Sequence, residues 1–137
     1  MAFSLLLAAA ALAAAQTPPE ASIQGQWRSP GGNSIIAISP CGDQLCGTVA
    51  WASAKARQDA RKATDQLVGT QLLTALQQGA DGRWQGKLFI PDKNMRVTAK
   101  LQLISADQLK VSGCLAGKSL CRSDLWTRLD GPLPASD

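Results

Sequence analysis

Histidine and tyrosine do not occur in this 137-residue chain, and its aromatic residues are four tryptophans and two phenylalanines. Glutamate occurs once, as Glu20, so almost all of the carboxylates belong to aspartates. General acid–base catalysis draws mainly on His, Glu, Asp, Lys, Tyr and Cys, and a serine nucleophile needs a base beside it. No serine of this sequence has such a base partner. We therefore expect that the protein is not an enzyme.

Motifs for metals and cofactors are lacking as well. The cysteines form no Cys-x-x-Cys pair, which redox sites use. Six residues separate Cys114 from Cys121, more than the two to four of a zinc knuckle, and no histidine can complete a zinc site. Glycine-rich phosphate loops are also missing. We expect no cofactor and no bound metal.

Positions 1–15 carry no charged side chain and are rich in Leu and Ala. Such a stretch is typical of the apolar part of a secretory signal, and the small residues Ala13–Ala15 suit a signal peptidase. It is short for a membrane span, which takes roughly 20 apolar residues. We predict a signal peptide at 1–15, a linker at 16–22, one domain at 23–130 and a flexible tail at 131–137. The expected location is periplasmic or secreted.

The net charge of +4 is modest, and most basic residues are spread along the chain. One local cluster comprises Lys55, Arg57, Arg61 and Lys62. Nucleic-acid binders usually carry a denser basic patch, often with aromatic residues between the basic ones, so we expect no nucleic-acid partner. The cluster indicates either a solvated basic face or weak contact with an anionic membrane surface.

The four cysteines, Cys41, Cys46, Cys114 and Cys121, are an even number, which in an exported protein indicates disulfides. Four cysteines allow three pairings. We favour Cys41–Cys46 and Cys114–Cys121, because each pair flanks a segment with glycine-containing turn chemistry. Each bridge is then expected to clamp the neck of a hairpin.

Short apolar segments recur along the chain, with turn signals between them. In Met95–Ile104 apolar and polar residues alternate with a period of two, which is typical of a strand with one buried face. About eight such strands predict an all-β fold, a small antiparallel up-and-down β-barrel. The predicted strands are Ile23–Ser29, Ser34–Ser39, Leu45–Trp51, Thr70–Leu76, Trp84–Ile90, Met95–Ile104, Leu109–Cys114 and Leu120–Leu129.

The segment Ser53–Gln66 interrupts the strand pattern. Ser53 is suited to cap a helix at its N-terminus, and Lys55 and Asp59 are spaced to meet on a helix surface. Large apolar residues are almost absent from this segment. We predict a short surface helix or a mobile connection that contributes nothing to the core.

Trp27 follows Gly25 on the first predicted strand, and Arg128 lies at the end of the last one. In a closed barrel these strands are neighbours, so Arg128 can stack on the Trp27 indole, a contact worth roughly 0.5 to 2 kcal/mol. A Gly-x-Trp start combined with a late basic residue resembles the lipocalin-like, or calycin, arrangement.

Further motifs follow in order along the rest of the chain. Together they resemble the bacterial family catalogued as domain of unknown function 2147, and the resemblance implies an exported, calycin-like protein without a settled activity. The residues that carry it are Gly25-x-Trp27, Ile38-Ser39-Pro40-Cys41, Leu45-Cys46-Gly47-x-x-x-Trp51, Gly69-x-x-Leu72-Leu73, Trp84-x-Gly86-Lys87-x-x-x-Pro91, Leu109-x-Val111-x-Gly113-Cys114 and Arg122-Ser123-x-x-Trp126-Thr127-Arg128.

Two departures from the family pattern bear on a ligand site. Where the family usually has an acidic stretch containing Asn-Pro, this chain has the basic, alanine-rich segment Ala52–Ala63. Where the family tends to have tyrosines, it has Phe89 and Met95. If this region forms a ligand mouth in relatives, its chemistry differs here.

Arg122, Asp124 and Trp126 are spaced at intervals of two on the last predicted strand and should share one face. Arg122 and Asp124 form either an ion pair at the rim or surface of the barrel, or a polar anchor inside a cavity. Tryptophans in so small a domain are more often packing residues than ligand contacts. With that alternative open, the candidate pocket residues are Trp27, Trp51, Trp84, Arg122, Asp124, Trp126 and Arg128.

Two functions suit these features. The first is a periplasmic barrel that binds a small apolar or amphipathic molecule. The second is a non-enzymatic structural or interaction protein of the envelope, with a filled barrel and an outer surface that contacts its partners. An internal cavity would favour the first, and a filled interior the second.

Overall fold

The computed structural model describes residues 22–115 and 121–135. The predicted signal peptide and all of the predicted linker except Ser22 lie outside these residues. In the described part, eight strands form one closed barrel in which each strand pairs with its neighbours in sequence and β1 pairs with β8. The strands are β1 Gly25–Arg28, β2 Ser34–Cys41, β3 Gln44–Ala52, β4 Gln71–Gln78, β5 Trp84–Ile90, β6 Met95–Ser105, β7 Gln108–Cys114 and β8 Cys121–Arg128. All pairings are antiparallel, so the predicted all-β up-and-down barrel is confirmed.

The period of two in β6 places its apolar side chains in the barrel, as predicted. Val97, Ala99 and Leu101 are buried, whereas Arg96 and Lys100 on the alternate positions are exposed. A one-residue slip would turn the whole apolar set outward, so the alternation also fixes the register with β5 and β7.

The antiparallel order gives the barrel two ends with different coverings. We call the end that holds the β2–β3, β4–β5 and β6–β7 hairpins the closed end. We call the opposite end, which holds the β5–β6 turn and the long β3–β4 connection, the open end. One disulfide lies towards each end: Cys41–Cys46 joins β2 to β3, and Cys114–Cys121 joins β7 to β8. Both predicted bridges are therefore confirmed.

The interior is filled from the closed end by a continuous cluster of apolar side chains. Trp27 is fully buried there, and its indole N–H donates to the carbonyl of Ile23, 2.8 Å away. Burial of this cluster stabilises the barrel by roughly 25 cal/mol for each Å² of apolar surface removed from water. Its other members from the strands include Ile36, Ile38, Leu45, Val49, Leu73, Leu76, Ala99, Leu101, Leu109, Val111 and Trp126.

Strand β4 carries an irregularity opposite a glycine of β5. The register shifts between Thr74 and Gln77, and Ala75 has a positive φ of 56°. A Cβ placed on Gly86 would lie 2.5 Å from the Thr74 carbonyl oxygen, which is closer than any side chain tolerates. Glycine at position 86 therefore lets the two backbones approach at the bulge.

The β3–β4 connection begins with helix α1, Ala54–Asp59. As predicted, Ser53 caps it: the Ser53 hydroxyl accepts a hydrogen bond from the Ala56 N–H at 3.1 Å. The expectation that this segment adds nothing to the core is wrong. Within Ser53–Gln66, Ala60 is a buried member of the core cluster and Ala56 packs against it, and Leu67, the next residue along the chain, is buried there as well. Alanine side chains are long enough to contact the core because the helix lies close to the open end. The prediction missed this contact because it considered only large apolar residues.

Candidate functional site

A cleft of about 600 Å³ enters the barrel at the open end, on the side formed by β5 to β8. Helix α1 and the segment after it occupy the other side of this end. The lining residues are Leu88, Ile90, Asp92, Lys93, Met95, Val97, Val111, Gly113, Leu115, Cys121, Arg122, Asp124 and Trp126. A cleft of this size falls within the range of small-molecule sites.

Three of the predicted site residues come together in this cleft. Arg122, Asp124 and Trp126 alternate along β8 and share its inward face, as their spacing predicts. Trp126 is buried at the inner end, whereas Arg122 and Asp124 are exposed towards the mouth. Along the inward face of β8, the lining therefore changes from apolar at Trp126 to charged at Asp124 and Arg122.

The predicted alternative of an Arg–Asp ion pair at the rim is not formed. Within the described residues the ion pair closer than 4.0 Å is Lys55–Asp59, and neither Arg122 nor Asp124 takes part in one. Arg122 and Asp124 occupy successive inward positions on the same strand, and both side chains are exposed to solvent at the mouth of the cleft.

The opposite wall and the floor were missed by reasoning from the sequence. Leu88 on β5, Val97 on β6 and Val111 on β7 supply apolar surface, and Met95 stands near the mouth. The signal was present, because each lies on the apolar face of its predicted strand. Which of these residues come together in one cleft depends on barrel closure and on strand register, and neither can be deduced from the sequence of a single strand.

Gly113 makes room for the cleft between β6 and β8. It lies opposite Ala99 on one side and Arg122 on the other. A Cβ at this position would come within 3.0 Å of Val97 Cγ2 and 3.4 Å of Leu88 Cδ2. An isolated glycine inside a strand is the sequence signal that would have identified this position.

Trp27 and Arg128 belong to the closed end and not to the cleft. The Arg128 guanidinium stacks over the Trp27 ring with its carbon 4.3 Å from the ring centroid, as predicted. The same guanidinium donates to three backbone carbonyls, those of Ala106, Gln24 and Ser22, at 2.7, 2.9 and 2.7 Å. These two residues therefore close the barrel, and neither of them lines the cleft.

The remaining two tryptophans are also apart from the cleft. Trp51 faces outward opposite Ile35, and its indole N–H donates to the Ala135 carbonyl at 3.3 Å. This bond connects the tail segment to the outer wall of β3. Trp84 packs partly against the core and lines a separate, more polar cleft on the outside of β4 and β5.

The Cys114–Cys121 disulfide stands beside the mouth of the cleft. The two residues face each other across β7 and β8 with their Cα atoms 4.1 Å apart, and Cys121 is part of the lining. The second bridge, Cys41–Cys46, has a Cα separation of 5.8 Å and lies at the far end of the barrel. One covalent clamp is thus adjacent to the site and the other is remote from it.

Potential metal ligands do not cluster in the described part of the chain. No group of three potential metal ligands from His, Cys, Asp and Glu occurs within residues 22–115 and 121–135. In that same part of the chain, no helix has the length and apolar character needed to cross a membrane. On helix α1 a hydrogen bond from Lys55 Nζ to Asp59, 2.9 Å long, together with the charge of that carboxylate, raises the pKa of Lys55 above its usual range.

A closed eight-stranded antiparallel barrel, sealed at one end by a stacked Trp–Arg pair and entered at the other by a cleft, defines the class of small up-and-down barrel proteins. Residues 25–128 match the family described as "Uncharacterized protein conserved in bacteria (DUF2147)". The chain belongs to this family, as its motifs predict. Neither the curated proteins nor the solved structures contain a match to the chain.

Proposed function

We propose that this protein binds a small amphipathic molecule in the cleft at the open end of the barrel. The observation that carries the proposal is the composition of the cleft, which has an apolar floor and a charged mouth. Val97, Val111 and Trp126 offer a surface for a hydrocarbon part. Arg122 and Asp124 lie where a polar head would remain near the solvent. Ligand sites commonly combine mostly apolar walls with a few polar groups in this way.

The proposal includes export to the periplasm or beyond the cell. Two disulfides clamp the barrel, and such bonds persist in oxidising compartments. The uncharged, alanine-rich start of the sequence supports the same location. A binding role without catalysis is in keeping with the scarcity of acid–base residues in the sequence.

Native mass spectrometry of the protein purified from the periplasm of its own host tests the proposal directly. We expect an additional mass that organic solvent removes. A fluorescence titration with 1-anilinonaphthalene-8-sulfonate, which joins an apolar ring system to an anionic head, then tests where ligands bind.

Met95→Trp should fill the mouth and weaken binding of this probe at least tenfold. The matched control is Ile104→Trp, because Ile104 lies on the same strand, is 49% exposed and does not line the cleft. Absence of any co-purifying molecule, together with equal probe binding by both variants, would contradict the proposal.

An envelope interaction protein is the second candidate function. It is favoured by the exposure of Lys55, Arg57, Arg61 and Lys62 around helix α1. Arg57→Gln, Arg61→Gln and Lys62→Gln together should then abolish sedimentation with phosphatidylglycerol vesicles. Unchanged sedimentation of this triple variant would exclude the basic segment as a membrane contact.

A further inference from the structure

The strands β4 to β7 contain no carboxylate, although they carry four basic residues. These are Lys87 on β5, Arg96 and Lys100 on β6, and Lys110 on β7, and all four are exposed. The charge on this outer wall is therefore entirely positive. These four residues belong to the strands, whereas the basic cluster around helix α1 belongs to the β3–β4 connection.

The strand register arranges the four cations in a continuous row. Lys87 lies opposite Thr98, midway between Arg96 and Lys100, so it is the diagonal neighbour of both. Lys100 has the same diagonal relation to Lys110 on β7. Diagonal neighbours on a sheet are roughly 7–8 Å apart. We call the row Arg96, Lys87, Lys100 and Lys110 the basic ladder.

None of the ladder side chains forms an ion pair with any residue of the described ranges. Arg96 instead stacks on Phe89, with the guanidinium carbon 4.6 Å from the ring centroid, which holds its charge over the wall. Like charges at neighbouring positions repel one another. An anion that binds along the row relieves this repulsion, and the positive potential of the row attracts anions from solution. An anionic partner with spaced charges would complement the row.

Two shallow clefts flank the ladder and meet at Lys87. One, of about 520 Å³, is lined by amide side chains that include Gln77, Gln78 and Gln85. It also holds one carboxylate, Asp81, which lies at the hairpin turn and accepts the Arg83 N–H at 3.0 Å.

The other cleft has a volume of about 330 Å³ and is lined by Thr70, Gln71 and Thr74 together with Lys87 and Arg96. Both clefts thus place neutral hydrogen-bonding groups beside the ladder. A partner rich in hydroxyl groups as well as negative charges would use both sets.

We propose that the basic ladder and its clefts bind an extended acidic polysaccharide along the outer wall. Amide and hydroxyl groups bind sugar hydroxyls, while the cations match acidic groups spaced along the chain. A membrane surface fits less well, because membrane-binding faces combine basic residues with apolar ones that insert. The exposed large apolar residues of the described ranges, Val68, Ile104, Leu115, Leu125 and Leu133, line neither cleft.

Isothermal titration with polygalacturonate, a linear carboxylated glycan, tests this surface at several salt concentrations. Dextran serves as the uncharged glycan. The ladder variant combines Lys87→Gln, Lys100→Gln and Lys110→Gln. The matched control combines Arg57→Gln, Arg61→Gln and Lys62→Gln, which removes the same net charge from another exposed surface. Thermal melting establishes that both variants fold like the native protein.

We expect the native protein to bind polygalacturonate in a salt-dependent manner and to ignore dextran. The ladder variant should lose at least tenfold in affinity, whereas the control should stay within twofold. Equal losses in the two variants would overturn the proposal, because net charge alone would then explain binding. Tighter binding of phosphatidylglycerol vesicles or of single-stranded DNA by the same residues would overturn the assignment to a polysaccharide. Probe binding in the open-end cleft is independent of all these outcomes.

Discussion

Arg128 directs its guanidinium towards backbone carbonyls and an indole ring, and it forms no ion pair with a carboxylate of the described residues. Its three hydrogen bonds reach the start of β1 and the β6–β7 turn, so one side chain joins three parts of the closed end. A planar fork of fixed donors suits this task, and the flexible ammonium of lysine does not reproduce it. The glycine of the Gly-x-Trp motif leaves room for this guanidinium, because a Cβ on Gly25 would lie 2.8 Å from Arg128 Nη1.

Arg128→Lys should lower the free energy of unfolding by about 2 to 3 kcal/mol, because charged hydrogen bonds and a stacked cation are lost while the charge remains. Urea denaturation followed by tryptophan fluorescence measures the change. Arg28→Lys, an exposed position on β1, should alter stability by less than about 0.5 kcal/mol. A loss for Arg128→Lys as small as that for Arg28→Lys would mean that the charge, and not the fork geometry, closes the barrel.

The two charges at the cleft mouth should act in opposite directions on an anionic ligand. Arg122→Gln is expected to weaken binding of 1-anilinonaphthalene-8-sulfonate by about threefold to tenfold, roughly 0.7 to 1.4 kcal/mol. Asp124→Asn should strengthen it, because a repulsive charge is removed. Titration at low and at high salt measures both effects, which should shrink as salt rises. Changes of the same sign in both variants would indicate a structural disturbance and would contradict the placement of a polar head there.

At the scale of elements, helix α1 and the segment after it close part of the open end through small side chains. Ala60 is only 2% exposed at the C-terminal end of the helix, and Leu67 is 7% exposed. The turn between β5 and β6 meets this covering, because Pro91 and Asp92 lie with Ala60 around a small cleft. The covering therefore determines how much of the open end remains for the cleft formed by β5 to β8.

Ala60→Glu should destabilise the protein by about 2 to 4 kcal/mol, because it places a charge in the core cluster without a partner. Gln58→Glu introduces the same charge at an exposed position of the same helix and should have little effect. Thermal melting of both variants measures the difference. If Ala60→Glu melted like Gln58→Glu, the segment would be a surface connection after all.

Elements were more predictable than the contacts between them. Alternation located the strands, and Ser53 and the Lys55–Asp59 spacing located the helix, because these signals are local. The bulge at Ala75 gave no comparable signal, since its positive φ is imposed by the fit of β4 to β5. The contact of Ala60 with the core was equally hidden, because an alanine suits an exposed or a buried helix position.

On the scale of the whole molecule, the barrel divides into an end devoted to closure and an end with an opening. Trp27 and Arg128 could be assigned to closure from the sequence, because β1 and β8 must meet in any closed barrel. The walls of the cleft could not be assigned, since they combine residues from β5, β6, β7 and β8 through closure and register together. Four candidate residues, Trp27, Trp51, Trp84 and Arg128, accordingly lie outside the cleft.

The two disulfides should have similar effects on stability but different effects on ligand binding. They close loops of similar length, with sequence separations of 5 and 7, so each should contribute about 2 kcal/mol on the chain-entropy model. Replacing Cys41 and Cys46 by Ala should therefore lower stability without altering probe binding. Replacing Cys114 and Cys121 by Ala should lower both, because the second bridge borders the cleft. Urea denaturation and titration with 1-anilinonaphthalene-8-sulfonate, under conditions where every variant is folded, measure the two effects separately. Equal loss of binding in both double variants would contradict a binding site that borders the second bridge, and with it the assignment of the site to the open end.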